Sequence, residues 1–164
     1  MKRLYVVRHA KSSWEQTALK DFDRPLNERG EKDAPGMARR LRNHDAQPDL
    51  ICSSPAQRAL ATAKIFAEIL GCPLSSIQYA RELYHADSKE ILRVIQSFGD
   101  ARTSVMIVGH NPGLTDLVNE LCNEVIANIP TSGVVEVQIQ IDSWKNVKWG
   151  GGKQVLFDYP KKDK

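Results

Sequence analysis

The chain reads as an α/β protein with three layers, α/β/α, around a mostly parallel central sheet. Three observations predict this. Leu4-Tyr5-Val6-Val7, Leu50-Ile51-Cys52 and Val105-Met106-Ile107-Val108 are short apolar runs of the kind that strands covered on both faces require. Longer segments with apolar residues at helical spacing separate them, the alternation that gives a parallel sheet with helices on both faces. A length of 164 residues suits one such domain and buries a real core. Neither a repeat nor a linker interrupts it, so residues 1–164 are read as a single domain.

Taken in order, Leu4 to Val7 is the first strand, bounded by charge on one side and by Arg8-His9 on the other. Trp14 to Arg24 lacks periodicity and reads as a loop over the site. A helix comes next, from about Glu28 to His44, capped by Asn27, with Met37 and Leu41 inward; Pro35-Gly36 should kink it or delay its start. Leu50 to Cys52 is the second strand. In the next helix Ser54 is the cap and Pro55 the first residue, where a missing amide proton costs nothing. Ala59, Leu60, Ala63, Phe66, Ala67 and Leu70 form its inner stripe, and Gly71 ends it. Ile77-Gln78-Tyr79 is a third short strand. A helix capped by Asp87 or Ser88 buries Ile91, Leu92 and Ile95. After the strand Val105 to Val108, Pro112 opens a helix whose buried face is Leu114, Leu117, Val118 and Leu121. Val135, Val137, Ile139 and Ile141 then alternate with Glu136, Gln138 and Gln140, the period of a strand with one solvated face. Val155-Leu156-Phe157 is its antiparallel partner near the edge, across the turn region Trp144 to Gly152.

Composition narrows the functional classes. The net charge is +3 with both signs interspersed, and there is no basic stripe or recognised module for nucleic acid. Lys161-Lys162-Asp163-Lys164 reads as a solvated tail. No apolar run approaches the roughly 20 residues that a membrane span needs. The amino end enters a strand with no signal-peptide pattern, which predicts a cytoplasmic address. Cys52, Cys72 and Cys122 are odd in number and widely spaced, as reduced structural thiols are. The four histidines include no His-x-x-x-His pair and have no clustered Asp ligands, so no metal and no cofactor is expected.

The chemistry lies in the segments just after the strands: Arg8-His9-Ala10-Lys11-Ser12, Ser53-Ser54-Pro55-Ala56-Gln57-Arg58 and Gly109-His110-Asn111-Pro112. If the strands are parallel neighbours, their carboxyl ends open on one side of the sheet, where α/β folds place ligands. Two histidines and two arginines then meet in one crevice, a set suited to phosphoryl transfer through a histidine. The transferred group spreads negative charge over three oxygens, and arginine binds it with a planar fork that keeps its charge. Arg8 and Arg58 supply two forks, His110 a further donor, and the helix start after Pro55 exposes backbone amides to an anion. His9 is the candidate nucleophile, kept neutral by the guanidinium groups beside it. An N–P bond on His9 would split hydrolysis into two easier steps. The leaving atom needs a proton: Glu82, after the third strand, is the leading candidate, with Asp21 and Asp23 behind it. Glu82 has a second reading as the ion-pair partner of Arg81, and Ser12 can contact phosphate or cap a turn. Trp14, Phe22, Tyr84 and His85 are candidates for the rim, and His44 reads as solvent-exposed.

Arg8-His9-Ala10-Lys11-Ser12 resembles the Arg-His-Gly signature of the histidine phosphatase superfamily, which includes the cofactor-dependent phosphoglycerate mutases. Asp23-Arg24-Pro25-Leu26 with Gly30, Ser53-Ser54-Pro55 with Arg58 and Thr62-Ala63, and Gly109-His110 match further landmarks in order. The short length and the Gly-His-Asn-Pro form are similar to SixA-type phosphohistidine phosphatases. The match covers residues 3 to 122 well and the final strands loosely. The resemblance implies a phosphoglycerate mutase-like fold, His9 as the phosphorylated nucleophile, and Arg8, Arg58 and His110 as the phosphate pocket, with Glu82 where larger members carry their proton donor. Ala10 departs from the signature glycine and would be strained if that position were left-handed.

The function expected is therefore a metal-independent phosphatase acting on phosphohistidine in a protein. Between Arg58 and His110 there is little room for helices that would cover a small sugar phosphate. A small-molecule phosphomonoesterase using the same residues is the alternative. A non-catalytic phosphoprotein-binding module is the alternative of another class; it would protect a phosphoprotein without releasing phosphate.

Overall fold

In a computed structural model that describes residues 1–162, the strands β1 (Lys2–Arg8), β2 (Leu50–Ser53), β3 (Ile77–Tyr79), β4 (Ser104–Gly109), β5 (Val134–Ile139) and β6 (Gly152–Asp158) form one sheet. Its order is β3-β2-β4-β1-β5-β6. The first four run parallel, while β5 is antiparallel to β1 and to β6. Alternate residues of each strand face opposite layers. Leu4, Val6, Leu50, Cys52, Val105 and Ile107 pack under the helices α3 (Ser88–Gln96) and α4 (Gly113–Cys122). Tyr5, Val7, Ile51, Met106 and Val108 pack under α1 (Glu28–Asn43) and α2 (Gln57–Leu70). The fold is the mixed α/β architecture that the sequence predicts.

The second layer is built from small residues: Ala34, Ala38, Ala59, Ala63 and Ala67 are all fully buried. Their small volume brings the helix backbones close to the sheet. α1 starts at Glu28, with Asn27 accepting from the Gly30 amide at 2.9 Å, and runs unbroken through Pro35. The expected delay does not occur. A mid-helix proline costs about 3 kcal/mol, and burying Met37 and Leu41 on the sheet contributes about 1.5–3 kcal/mol each.

Two other expectations need correction. α2 begins at Gln57, because Ala56 is extended (ψ 141°) and Ser54 closes a local turn by accepting from the Ala56 amide at 3.2 Å. Ser54 is therefore no helix cap, and Pro55 precedes the helix. The polar face of β5 is largely covered rather than solvated: Glu136 is 9 % exposed, Gln138 is half-buried, and Val134 on that face joins the core under α1 and α2. Gly71 does end α2, in the left-handed conformation (φ 76°) that favours glycine. Asp87, rather than Ser88, caps α3 through a reciprocal pair with Glu90. Cys52, Cys72 and Cys122 are free thiols. Among the described residues no helix is long and apolar enough to cross a membrane, and Asp163 and Lys164 of the expected tail lie outside them.

Candidate active site

β4 lies between β1 and β2, so their carboxyl ends emerge side by side. The register pairs Arg8 with Gly109 and Ser53 with Val108. The chain then continues that alignment: the His9 amide donates to the Gly109 carbonyl at 3.0 Å and the Ser54 amide to the Val108 carbonyl at 2.9 Å. This delivers Arg8-His9, Ser54 and His110 to one end of the sheet. Arg58, in the first turn of α2, reaches over from the adjoining layer. A cavity of about 540 Å³ has Arg8, His9, Arg58 and His110 in its wall, joined by Asp21, Arg24, His85, Asp116 and the exposed Trp14.

His9 is buried, and its Nδ1 lies 2.7 Å from the Ala10 carbonyl. A carbonyl only accepts, so Nδ1 carries the proton and Nε2 keeps its lone pair. Burial pushes the His9 pKa down, the Ala10 hydrogen bond opposes this, and the charges of Arg58, Arg8 and Arg24 add to it, bringing it to about 4. At neutral pH the ring is uncharged. The His110 ring is centred 5.1 Å away, and its Nε2 meets the Ser54 hydroxyl at 2.8 Å. Burial, then the neighbouring His9 and Arg58, push its pKa down to about 3. Its Nδ1 is buried without a protein partner, as are Nε of Arg8 and Nε of Arg58. An orphaned buried polar group costs about 1–3 kcal/mol. Three such groups at one site, two of them on guanidiniums, form a cradle suited to an anion.

The arginines are fixed by their other nitrogens. Arg8 Nη1 donates to the Ile129 carbonyl at 2.9 Å, which also accepts from Asn111 Nδ2 at 2.9 Å. Arg58 Nη1 donates to the Asp21 carbonyl at 2.7 Å and Nη2 to Asp21 Oδ2 at 3.1 Å. Asp21 Oδ1 accepts from Arg24 Nη2 at 3.0 Å, and Oδ2 also accepts from the Tyr84 hydroxyl at 2.7 Å. Burial raises the Asp21 pKa, but the bonds from Tyr84, Arg24 and Arg58 outweigh it and hold the carboxyl far below the usual range. Two guanidiniums and a phenol thus share one carboxylate on this wall. Thr62 ties the loop to the helix, its hydroxyl accepting from the Ala10 amide at 2.9 Å and donating to the Arg58 carbonyl at 2.8 Å. Ala10 is fully buried with a backbone outside the left-handed region, so its replacement of glycine costs no strain.

Glu82, Ser12 and Asp23 fall elsewhere. Glu82 lies on a one-turn 3-10 helix, Arg81–Leu83, with its side chain exposed and off the cavity wall. That turn buries Leu83 instead, which rotates Glu82 outward. Ser12 stands behind Arg24, whose Nη1 donates to its hydroxyl at 2.6 Å. Asp23 is exposed and off the wall, whereas Asp21 is on it. Sequence reasoning left Arg24, Ser54, Thr62 and Asn111 without roles in the site. Arg24 carried a usable signal, a lone arginine in the Asp-Arg-Pro-Leu landmark, and it is 7 % exposed. Among the described residues no three His, Cys, Asp or Glu side chains are grouped to hold a metal ion.

Known proteins share this architecture. The family model of the histidine phosphatase superfamily (branch 1) matches residues 4–96. An uncharacterized chloroplastic protein of Arabidopsis thaliana is 30% identical over 152 residues, 88% of this chain and 69% of that protein. An uncharacterized protein of Mycobacterium tuberculosis is 28% identical over 94% of this chain and 100% of its own length. Among solved structures, a proposed phosphohistidine phosphatase SixA from Agrobacterium tumefaciens superposes with a TM-score of 0.82 at 30% identity, covering 97% of this chain and 98% of that one. The protein histidine phosphatase SixA complexed with tungstate gives 0.82 at 25% identity, over 96% and 97% of the two chains.

Proposed function

The chain belongs to the histidine phosphatase superfamily, and on that premise we propose that it is a metal-independent phosphatase working through a phosphohistidine on His9, with phosphohistidine of a partner protein as its substrate. The observation that carries this reading is the pairing of a neutral His9, its Nε2 lone pair free, with the unpartnered Arg8 Nε, Arg58 Nε and His110 Nδ1. Tungstate, the ligand in one SixA structure, is a tetrahedral oxyanion like phosphate and supports an oxyanion pocket here.

In the first step His9 Nε2 attacks phosphorus, the bond to the leaving atom breaks, and the leaving group takes up a proton. In the second, water attacks the phosphoryl group, the N–P bond breaks and phosphate departs. Arg8, Arg58 and His110 hold the equatorial oxygens through both steps, where charge-assisted bonds in a buried site count most. Ala10 fixes the His9 tautomer. Ser54 can donate its proton to His110 Nε2, which leaves Nδ1–H to face the phosphoryl oxygens.

A protein substrate is favoured because little covers the cavity. Between α2 and β4 the chain has only short 3-10 turns, a three-residue strand and the nine-residue α3. Such a mouth accepts a phosphorylated side chain presented by another domain. The test is phosphate release by wild type and His9→Ala from a histidine-phosphorylated protein and from a simple aryl phosphate, with and without a chelator. Release that needs His9, ignores the chelator and strongly favours the phosphoprotein is expected. Comparable turnover of the ester would move the substrate to small phosphomonoesters, and binding without release would leave a phosphoprotein-binding module.

A further inference from the structure

The two-step mechanism needs a donor for the leaving-group proton. Glu82 is off the wall, and Asp21 is held ionised by Tyr84, Arg24 and Arg58. The loop that carries Glu82 outward brings a different side chain in. His85 lines the same cavity as Arg8, His9, Arg58 and His110, and it is exposed. We propose that His85 donates the proton that the departing imidazole takes up, and takes one back from the water that attacks the phosphoryl group on His9. This rests on the phosphatase reading of the same site.

Four features of the loop support the assignment. Its backbone is left-handed at His85 (φ 59°), a conformation that is unfavourable for a residue with a side chain and persists only where the surroundings impose it. The surroundings do so on both sides. Leu83 is buried, the Tyr84 hydroxyl is anchored on Asp21, and Asp87 is locked as the α3 cap. The Ala86 carbonyl packs so tightly on α4 that a Cβ on Gly113 would stand 2.2 Å from it. The ring itself is oriented: its centroid is 3.9 Å from that of Tyr84, which is 5.6 Å from His110, which is 5.1 Å from His9. Among the described residues the His85 ring makes no hydrogen bond, so both nitrogens face solvent or substrate.

The remaining acids on that wall suit the role less. Asp87 spends a carboxylate oxygen on the Glu90 amide at 2.9 Å. Asp116 sits in the first turn of α4, with no side-chain hydrogen bond among the described residues to orient it. An imidazole ring can give a proton from one nitrogen and take one at the other. The balance is complete: His85 loses a proton to the departing imidazole as the new N–P bond forms on His9, and regains one as water becomes phosphate oxygen.

The test uses His85→Asn and His85→Gly, both residues that tolerate a left-handed backbone, and reads kcat/KM, which stops at phosphorylation of His9. Substrates are a histidine-phosphorylated protein, phenyl phosphate and dinitrophenyl phosphate, the last of which releases a stable anion without protonation. Loss of a lone acid of this kind predicts about a hundredfold lower kcat/KM on the first two and at most about a threefold change on the last. An equal loss on all three, or no loss on any, would overturn the assignment. A wild type that cleaves both esters but not the phosphoprotein would end the protein-substrate reading while the ratio of the two esters still judges His85. Activity on none of the three would end both.

Discussion

The two walls of the cavity differ in almost every physical respect. The wall made by the ends of β1 and β4, by α2 and by the loop at Asp21 is positively charged, buried and cross-braced. Arg8, Arg24 and Arg58 each have at least one nitrogen committed to a fixed oxygen, and Thr62 bonds the His9 loop to α2. The rest of the lining, at the starts of α3 and α4, exposes His85, Asp87 and Asp116, and none of these is bonded to the arginines. The packing beneath has the same division. Alanines under α1 and α2 bring those helices close to the sheet, whereas Leu, Ile and Val fill the layer under α3 and α4. A braced wall suits the phosphoryl group, which is the same in every substrate. An open wall suits the leaving group, which is not. Changes on the first wall should therefore slow all substrates alike, and changes on the second should alter the ratio between them.

The largest expected effect is that of Arg58→Ala. Losing one preorganised donor to a developing anion costs about a hundred- to a thousandfold in turnover. We expect that loss on phosphoprotein and aryl phosphate alike, with a far-ultraviolet spectrum like that of wild type. A loss confined to one substrate would erase the distinction between the walls.

The braced wall also carries a stability signature. Burial and the arginines depress His9 to about 4 and His110 to about 3, below the ordinary 6.5. An unfolded chain therefore binds protons between pH 7 and 5 that the folded chain refuses, so stability is full above the unfolded value and falls as pH drops through that window. At about 1.4 kcal/mol per pH unit below that value, His9 alone accounts for about 2 kcal/mol between pH 7 and 5. Asp21 has a depressed folded value, so its contribution is lost only at lower pH, outside this window. Urea midpoints measured at pH 7 and pH 5 should move closer together in His9→Gln. An unchanged gap would show that this wall does not resist protonation.

Most of the fold was legible because strand and helix periods are local. The apolar runs, the Asn27 cap, the stripe of α2 and the αL end at Gly71 all depend on neighbours within a few residues. What was illegible depended on contacts distant in sequence. Pro35 sits inside a helix because the sheet rewards its neighbours. Glu136 is buried on the face where Val134 joins the core under α1 and α2, elements distant in sequence. In the site, Arg8 ends β1, His9 and His110 directly follow β1 and β4, and Arg58 opens the helix after β2, an order that the apolar runs announce. Glu82 leaves the cavity wall while His85, a rim candidate, stays on it, because Glu82 sits on a single 3-10 turn that buries Leu83, and no spacing rule reports which side of a short turn faces inward. Arg24 and Asp21 belong to an aperiodic segment whose placement is set by Arg58 and Tyr84.

Two glycines allow the walls to be disturbed separately. A Cβ on Gly30 would stand 2.2 Å from the Lys11 carbonyl, on the loop that holds His9 and Ala10; one on Gly113 would stand 2.2 Å from the Ala86 carbonyl, beside His85. Each substitution to alanine should cost about 1–3 kcal/mol, the usual range for overpacking. Gly30→Ala should lower kcat/KM on phosphoprotein and esters together. Gly113→Ala should lower it on phosphoprotein and phenyl phosphate more than on dinitrophenyl phosphate. Uniform loss in both variants would mean that the two loops move as one.

The smallest effect is expected at Trp14, whose ring lies 3.5 Å from the Arg24 guanidinium while 73% of its own surface is exposed. A cation–π contact at so exposed a site is worth about 0.5–1 kcal/mol. Arg24 keeps its bonds to Asp21 and Ser12 without it, so Trp14→Ala should leave kcat nearly unchanged and raise KM by at most about fivefold, through loss of the exposed ring itself at the cavity. Trp14 lines the cavity with most of its ring exposed, where a protein substrate of the proposed kind would meet it. The rise in KM should accordingly be larger for a phosphoprotein than for an aryl phosphate. A fall in kcat on both would instead make Trp14 part of the bracing, with Arg24 dependent on it for its place.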